Sequence, residues 1–234
     1  MSENKSVELL ADPRDLPAWF RPLVSAVTHG DIDGIAKFKP PAGTRARRSA
    51  VLVLLGEGPQ GPDVLLIERA IDMRSHAGQP AFPGGAHETE DESSAATALR
   101  EAREETLLDP TGVTVVASLP SMWLPPSGFV VTPVLGWWHE PSPVGIGDPA
   151  EVAAVHRVPI SSMIDPKNRV KVSHPSGYIG PGFEVSGMLV WGFTGMLLDR
   201  LFSLGCWERP WEATARVVPF DDGWRQQTDG GGPT

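Results

Sequence analysis

Two adjacent glycines, Gly84 and Gly85, stand shortly ahead of a helical repeat whose acidic residues share one face, and this arrangement restricts the fold more than any other stretch. From Ser93 to Leu108, Ala95, Leu99, Ala102 and Thr106 recur at spacings of four, three and four, which is the signature of a helix with one side turned inward. At about 100° per residue, Glu101, Glu104 and Glu105 gather on a different face. Strand-like runs lie on both sides of it: Ala50 to Leu55 and Val64 to Glu68 before, then Val113 to Leu119, Phe129 to Trp138, Val152 to Val158, Val170 to Ser173 and Tyr178 to Val185. A second helix is expected over Leu189 to Leu204 and an earlier one over Leu16 to Thr28. Strands around an early helix, with another helix late, predict a mixed-sheet α/β or α+β layered domain.

The punctuation of the chain predicts three parts: an N-terminal arm over residues 1–44 with one helix, a main domain over 45–227, and a disordered tail over 228–234 that is too poor in apolar residues to fold. Gly56, Gly58 and Gly61 mimic a dinucleotide fingerprint, but a strand rather than a helix follows them, so they are read as turn formers of a hairpin.

Composition excludes several functions. With 29 acidic against 20 basic residues the formal charge is -9, which offers no broad field for nucleic acid. The most apolar region, Val113 to Trp138, is broken by Pro120, Pro125, Pro126, Gly128 and Pro133, short of the roughly 20 residues a membrane span needs. A single cysteine, Cys206, allows no internal disulfide and is expected as a buried thiol beside Trp207; with no leader visible at Met1 to Asp12, a cytoplasmic setting is expected. The histidines form no HExxH pattern, and no GxSxG elbow is present. Trp137 and Trp138 are read as packing residues. Oligomeric state is left open, a homodimer included.

The acidic helix face carries the chemistry. Three carboxylates on one face repel, each i,i+4 pair costing a few tenths of a kcal/mol, and Arg100 and Arg103 offset only part of it. A hard divalent cation resolves the conflict, since it prefers carboxylate oxygens and bridges to phosphates. The competing reading is a solvated face of Arg and Glu pairs. Gly84 and Gly85 favour the metal, because backbone without side chains can approach an ion or phosphate closely.

Gly85, Glu92, Arg100, Glu101, Glu104 and Glu105, in that order, resemble the box of the Nudix hydrolases, with the step from Gly85 to Glu92 one residue longer than in the general box. The longer form resembles the coenzyme A pyrophosphatase branch. That branch's upstream motif is matched by Leu65, Leu66, Ile67, Glu68, Arg69, Arg74, His76, Gly78, Phe82, Pro83, Gly84 and Gly85. Two departures stand out. Ile67 replaces a threonine and is expected to alter substrate contacts; Leu107 replaces a glycine and is expected to lengthen the helix to Leu108.

The resemblance implies an α/β/α sandwich with a mixed β-sheet and attack by water on a nucleoside-linked pyrophosphate with Mg²⁺ or Mn²⁺. Coenzyme A or its thioesters would be the substrate, giving 3',5'-ADP and a phosphopantetheine. The implied metal set is Glu101, Glu104, Glu105 and Gly85, with Glu104 and Glu105 catalytic. Arg69, Arg74, His76, Gly78 and Phe82 would meet the substrate, and Gly84, Glu92 and Arg100 would hold the motif together. The base that activates water is assigned to Glu151, with Glu140 and Glu184 as alternatives. Two rival functions are kept: a pyrophosphatase for ADP-ribose or another nucleoside diphosphate derivative, and a catalytically silent nucleotide-binding scaffold.

Overall fold

A computed structural model describes residues 7–29, 40, 43–44, 46–71, 78–125, 127–212 and 215–220. In chain order its elements are α1 (Arg21–Thr28), β1 (Arg47–Gly58), β2 (Gly61–Arg69), β3 (Pro80–Ala81), β4 (Gly84–Ala86), α2 (Ser94–Thr106), β5 (Val113–Ser118), β6 (Met122–Leu124), β7 (Phe129–Trp138), β8 (Val152–Pro159), α3 (Ile160–Met163), β9 (Arg169–Ser173), β10 (Ile179–Val185), β11 (Met188–Val190), α4 (Gly192–Leu204) and β12 (Arg216–Pro219).

The main sheet is mixed. Its order is β3-β2-β1-β7-β5, with β1 and β7 parallel and every other pair antiparallel; β4 joins β1, β6 joins β7 and β8 joins β2. Alternation along β1 sorts its side chains to two sides. Leu52 and Leu54 meet Ala98 and Ala102 of α2, while Val53 and Leu55 meet residues of α1 and α4. Helices therefore close both faces, giving an α/β/α sandwich, and each fully buried Leu or Val contributes about 1.5–3 kcal/mol. A smaller sheet, β11-β10-β9-β12, packs on α4.

Sheet register explains where the glycine pair sits. Strand β1 gives one edge to β7; on the other, Leu55 to Gly58 pair with β2 and Ser49 to Val51 with β4. Strand β2 likewise gives one edge to β8 and divides the other between β1 and β3. The two strands thus splay apart, and the segment from β3 to β4 fills the wedge between them. Gly56, Gly58 and Gly61 belong to the β1–β2 hairpin, as expected of turn and strand-end glycines.

Several expectations are corrected. The early helix starts at Arg21 rather than Leu16: Pro17 heads a turn closed by the Phe20 amide at 3.0 Å, and the helix proper opens with Pro22 in its first turn. Residues 189–204 are not one helix. Ser186 and Gly187, both at positive φ, turn β10 back into β11, and the helix begins only at Gly192. Leu107 does not lengthen α2. It ends the helix in the left-handed region at φ 57, exposed, while Leu108 is buried. Cys206 is exposed. Of the arm, Leu16, Phe20, Leu23, Val24 and Val27 belong to the same core as the sheet. The tail over 228–234 lies outside the described residues. No helix among the described residues is long and apolar enough to cross a membrane.

Candidate active site

Helix α2 is started by the Ser93 hydroxyl, which accepts the Ala96 amide at 3.1 Å, a cap worth about 1 kcal/mol. Its inner stripe fixes the rotation: Ala98 and Ala102 are buried, with Leu99 partly so. That rotation carries the three glutamates to different environments.

Glu105 is buried, and its Oε2 accepts the Gly84 amide at 2.8 Å. Its Oε1 is buried with no partner. Burial pushes this carboxyl up to about 8; the Gly84 amide and the Arg69 charge act against the rise, while the charges of Glu101 and Glu151 add to it. Glu101 is half-buried and also raised, chiefly by burial, with Arg100 opposing and the Glu104 and Glu151 charges adding. Its carboxyl lies against Gly85, where a Cβ would come within 2.5 Å of it. Glu104 differs: it is exposed and tied to Arg100 at 3.3 Å. The three carboxyls expected together on one outward helix face are thus a buried Glu105, a half-buried Glu101 and an outer Glu104.

Arg100 organises this side of the helix. It donates to Asp91 through Nε (3.1 Å) and Nη2 (3.0 Å), donates to the Ala86 carbonyl at 3.0 Å, and lies 3.0 Å from Glu101. The bidentate contact with Asp91, whose side chain is only 5% exposed, holds that carboxyl well below the usual range and raises Arg100 further. Sequence reasoning assigned the motif's acid to Glu92, which is exposed. The structure gives the contact to Asp91. The missed signal was spacing, since Asp91 stands one residue nearer Gly85, at the general box's interval.

The opposite wall comes from the end of β2. Arg69 pairs with Val152 at a β-bulge, its carbonyl accepts the Gly78 amide at 3.0 Å, and its charge acts on Glu105. Next to it the Ala70 amide donates to the Glu151 carbonyl at 2.8 Å, so Glu151 stands at the same rim and its charge reaches both Glu101 and Glu105. Glu184 is elsewhere, on β10, ion-paired with Arg216. Phe82 is 2% exposed inside the hydrophobic core, which corrects the substrate contact expected of it to packing. Ile67 is fully buried, so its departure from threonine falls inside the packed interior. Arg74 and His76 lie outside the described residues.

Among the described residues no three His, Cys, Asp or Glu side chains converge into a ready-made cation cage. The donors still suit a hard divalent ion. A buried carboxylate oxygen without a partner, beside a second raised carboxyl that lies against the side-chain-free backbone of Gly85, is a donor set that a positive charge would satisfy.

A carboxylate-bearing helix on a mixed sheet, met by a glycine turn, defines a Nudix fold, and the NUDIX domain model matches residues 45–176. The chain belongs to the Nudix family, whose hydrolases cleave pyrophosphate linkages and generally use divalent metal ions. Among its relatives, the uncharacterized Nudix hydrolase NudL of Salmonella paratyphi B is 43% identical over 162 residues, covering 66% of this chain and 81% of that protein. NudL of Salmonella newport matches equally. Of solved structures, the Nudix hydrolase RenU from M. smegmatis superposes with TM-score 0.47 at 20% identity, covering 69% of this chain and 86% of that one. The NUDIX domain of Shewanella oneidensis NrtR, crystallised with ADP ribose, superposes with TM-score 0.42 at 23% identity over 53% and 80%.

Proposed function

We propose that the chain hydrolyses the pyrophosphate of coenzyme A or its thioesters, releasing 3',5'-ADP and the corresponding phosphopantetheine, with Mg²⁺ or Mn²⁺. The observation that carries the hydrolytic reading is Glu105, a buried carboxylate fixed through one oxygen by the Gly84 amide and left with the other unpaired. A cation held by Glu101 and Glu105 with the Gly85 backbone, and by Glu104 on release from Arg100, would neutralise the pyrophosphate charge. The remaining steps belong to the chain's own groups. Arg69 binds a phosphate oxygen through its planar donors. Glu151 takes the proton of the attacking water. Arg100, anchored on Asp91, keeps Glu101 in place. Coenzyme A as the substrate rests on the upstream motif, in which Arg69 and Gly78 occupy the rim beside Glu151. The rival ADP-ribose reading drew on Ile67, which is fully buried.

The test is a product assay. Purified protein with Mg²⁺ or Mn²⁺ is offered coenzyme A, ADP-ribose, NADH and dinucleoside polyphosphates, and mass spectrometry identifies the products. 3',5'-ADP from coenzyme A is expected, lost or severely reduced in Glu104→Gln, and lowered about 10²- to 10⁴-fold in Glu151→Gln with metal affinity nearly unchanged. Preferred cleavage of ADP-ribose would move the substrate; no turnover of any compound by metal-loaded protein would leave the silent scaffold.

A further inference from the structure

The loop between β7 and β8 does more than connect strands. Helix α2 ends abruptly at Leu107, whose amide closes on the Arg103 carbonyl, and this leaves later carbonyls of the last turn without helical partners. The loop supplies them: the Gly145 amide donates to the Thr106 carbonyl and the Gly147 amide to the Glu105 carbonyl, both at 3.0 Å. Val144 packs into the core beneath α2. Contact at Gly147 is so close that a Cβ there would fall 1.9 Å from the Glu104 carbonyl oxygen. From Gly147 the chain enters a tight turn. The Asp148 carboxylate accepts the Ala150 amide at 2.8 Å, and its carbonyl accepts the amides of Glu151 at 3.1 Å and Val152 at 2.9 Å. Glu151 then docks just past the end of β2, its carbonyl accepting the Ala70 amide.

We propose that Gly147 and Asp148 are positioning residues, forming a backbone strap that fixes Glu151 relative to the carboxylates of α2. The strap is short, four residues from Gly147 against the end of α2 to Glu151, so a displacement at Gly147 is passed directly to Glu151. Only glycine permits the approach at 147, because the clash would be with backbone rather than a yielding side chain. Gly145 is different. A Cβ there meets nothing nearer than Leu107 Cδ1 at 3.8 Å, so alanine is tolerated and serves as the control. This inference rests on Glu151 being the base.

The experiment measures kcat and KM for coenzyme A hydrolysis in Gly147→Ala, Gly145→Ala, Asp148→Ala, Glu151→Gln and the double variant Gly147→Ala/Glu151→Gln, with folding checked by circular dichroism. Asp148→Ala loosens the turn without any clash and keeps the proposal testable should Gly147→Ala misfold. Expected are a kcat lowered by up to about 10²-fold in Gly147→Ala and several-fold in Asp148→Ala, with KM nearly unchanged and Gly145→Ala normal. In the Glu151→Gln background, Gly147→Ala should cost little more, because the group it positions is already gone. Normal kcat in folded Gly147→Ala and Asp148→Ala would overturn the strap. So would independent, multiplying losses in the double variant while Glu151→Gln alone is slow. Normal turnover of Glu151→Gln would bring down the base assignment and the strap together.

Discussion

The Gly84 amide holds Oε2 of Glu105 at 2.8 Å while Oε1 of the same carboxylate is buried with nothing to meet it. Because burial raises this carboxyl to about 8 in the folded chain, the folded state binds the proton more tightly than the unfolded one. Stability from this group is full below the ordinary glutamate range and is lost as pH rises toward 8. Metal-free protein should therefore lose on the order of 2–4 kcal/mol between pH 5 and 8, as read by urea denaturation. Mg²⁺ should restore much of it at pH 8, and Glu105→Gln should flatten the metal-free slope. A metal-free stability that climbs across this window would contradict the assignment.

The two glycines should fail in different ways. A Cβ on Gly84 would strike the Ala50 carbonyl oxygen at 2.3 Å from a backbone with φ 155, so Gly84→Ala should cost about 2–4 kcal/mol of stability. On Gly85 the obstacle is the end of the Glu101 side chain, which can swing away. Gly85→Ala should thus melt near the wild-type temperature yet bind Mn²⁺ more weakly, measurable by electron paramagnetic resonance.

Asp91, not Glu92, should prove to be the partner of Arg100. Removing Asp91 takes away the bidentate acceptor that fixes the Arg100 guanidinium and leaves it only Glu101, Glu104 and the Ala86 carbonyl, so Asp91→Ala should destabilise by about 1–3 kcal/mol and slow turnover by disordering Glu101. Glu92→Ala should leave both unchanged. The reverse ranking in thermal melts and rate assays would return the role to Glu92.

Leu107 pays a conformational cost that glycine would avoid. A left-handed non-glycine residue is strained by about 1–2 kcal/mol, partly offset by the greater unfolded-state freedom of glycine. With its side chain exposed, Leu107→Gly should stabilise by about 0.5–1 kcal/mol, raising Tm by roughly 2–3 °C in calorimetry.

Much of this architecture is written locally in the chain. Strand β7 matches its strand-like run end to end, and α2 follows from its apolar spacing and the Ser93 cap. What escaped were features set by distant partners. The two residues of β3 and three of β4 carry no periodicity and exist because the splayed β1 and β2 offer free edges. The break between β11 and α4 was hidden because the apolar run passes through it, and only Gly192, at φ 62, marks the place, while Ser186-Gly187 mark the preceding turn from β10 to β11. At the site, residue types announced carboxylate chemistry, but not that Glu105 would be buried and Glu104 left outside, since that depends on helix rotation against the sheet. Leu107 shows tertiary context overriding local preference: loop amides at Gly145 and Gly147 take the last carbonyls, leaving no room for another turn.

Helices α1 and α4 cover the same face of the main sheet, yet one precedes every strand and the other follows nearly all of them. During synthesis at about 5–20 residues per second, that face would wait roughly seven to twenty-seven seconds after β2 emerges before α4 is complete and can close it. Throughout that interval Val53, Leu55, Val64 and Leu66 form a half-covered surface that chaperones or other nascent chains can reach. A fragment cut at 45–176 would keep Glu101, Glu104, Glu105 and Glu151 but lose α1 as well as α4, leaving that face wholly uncovered, so its failure to stay in solution would reflect missing walls rather than a defective site.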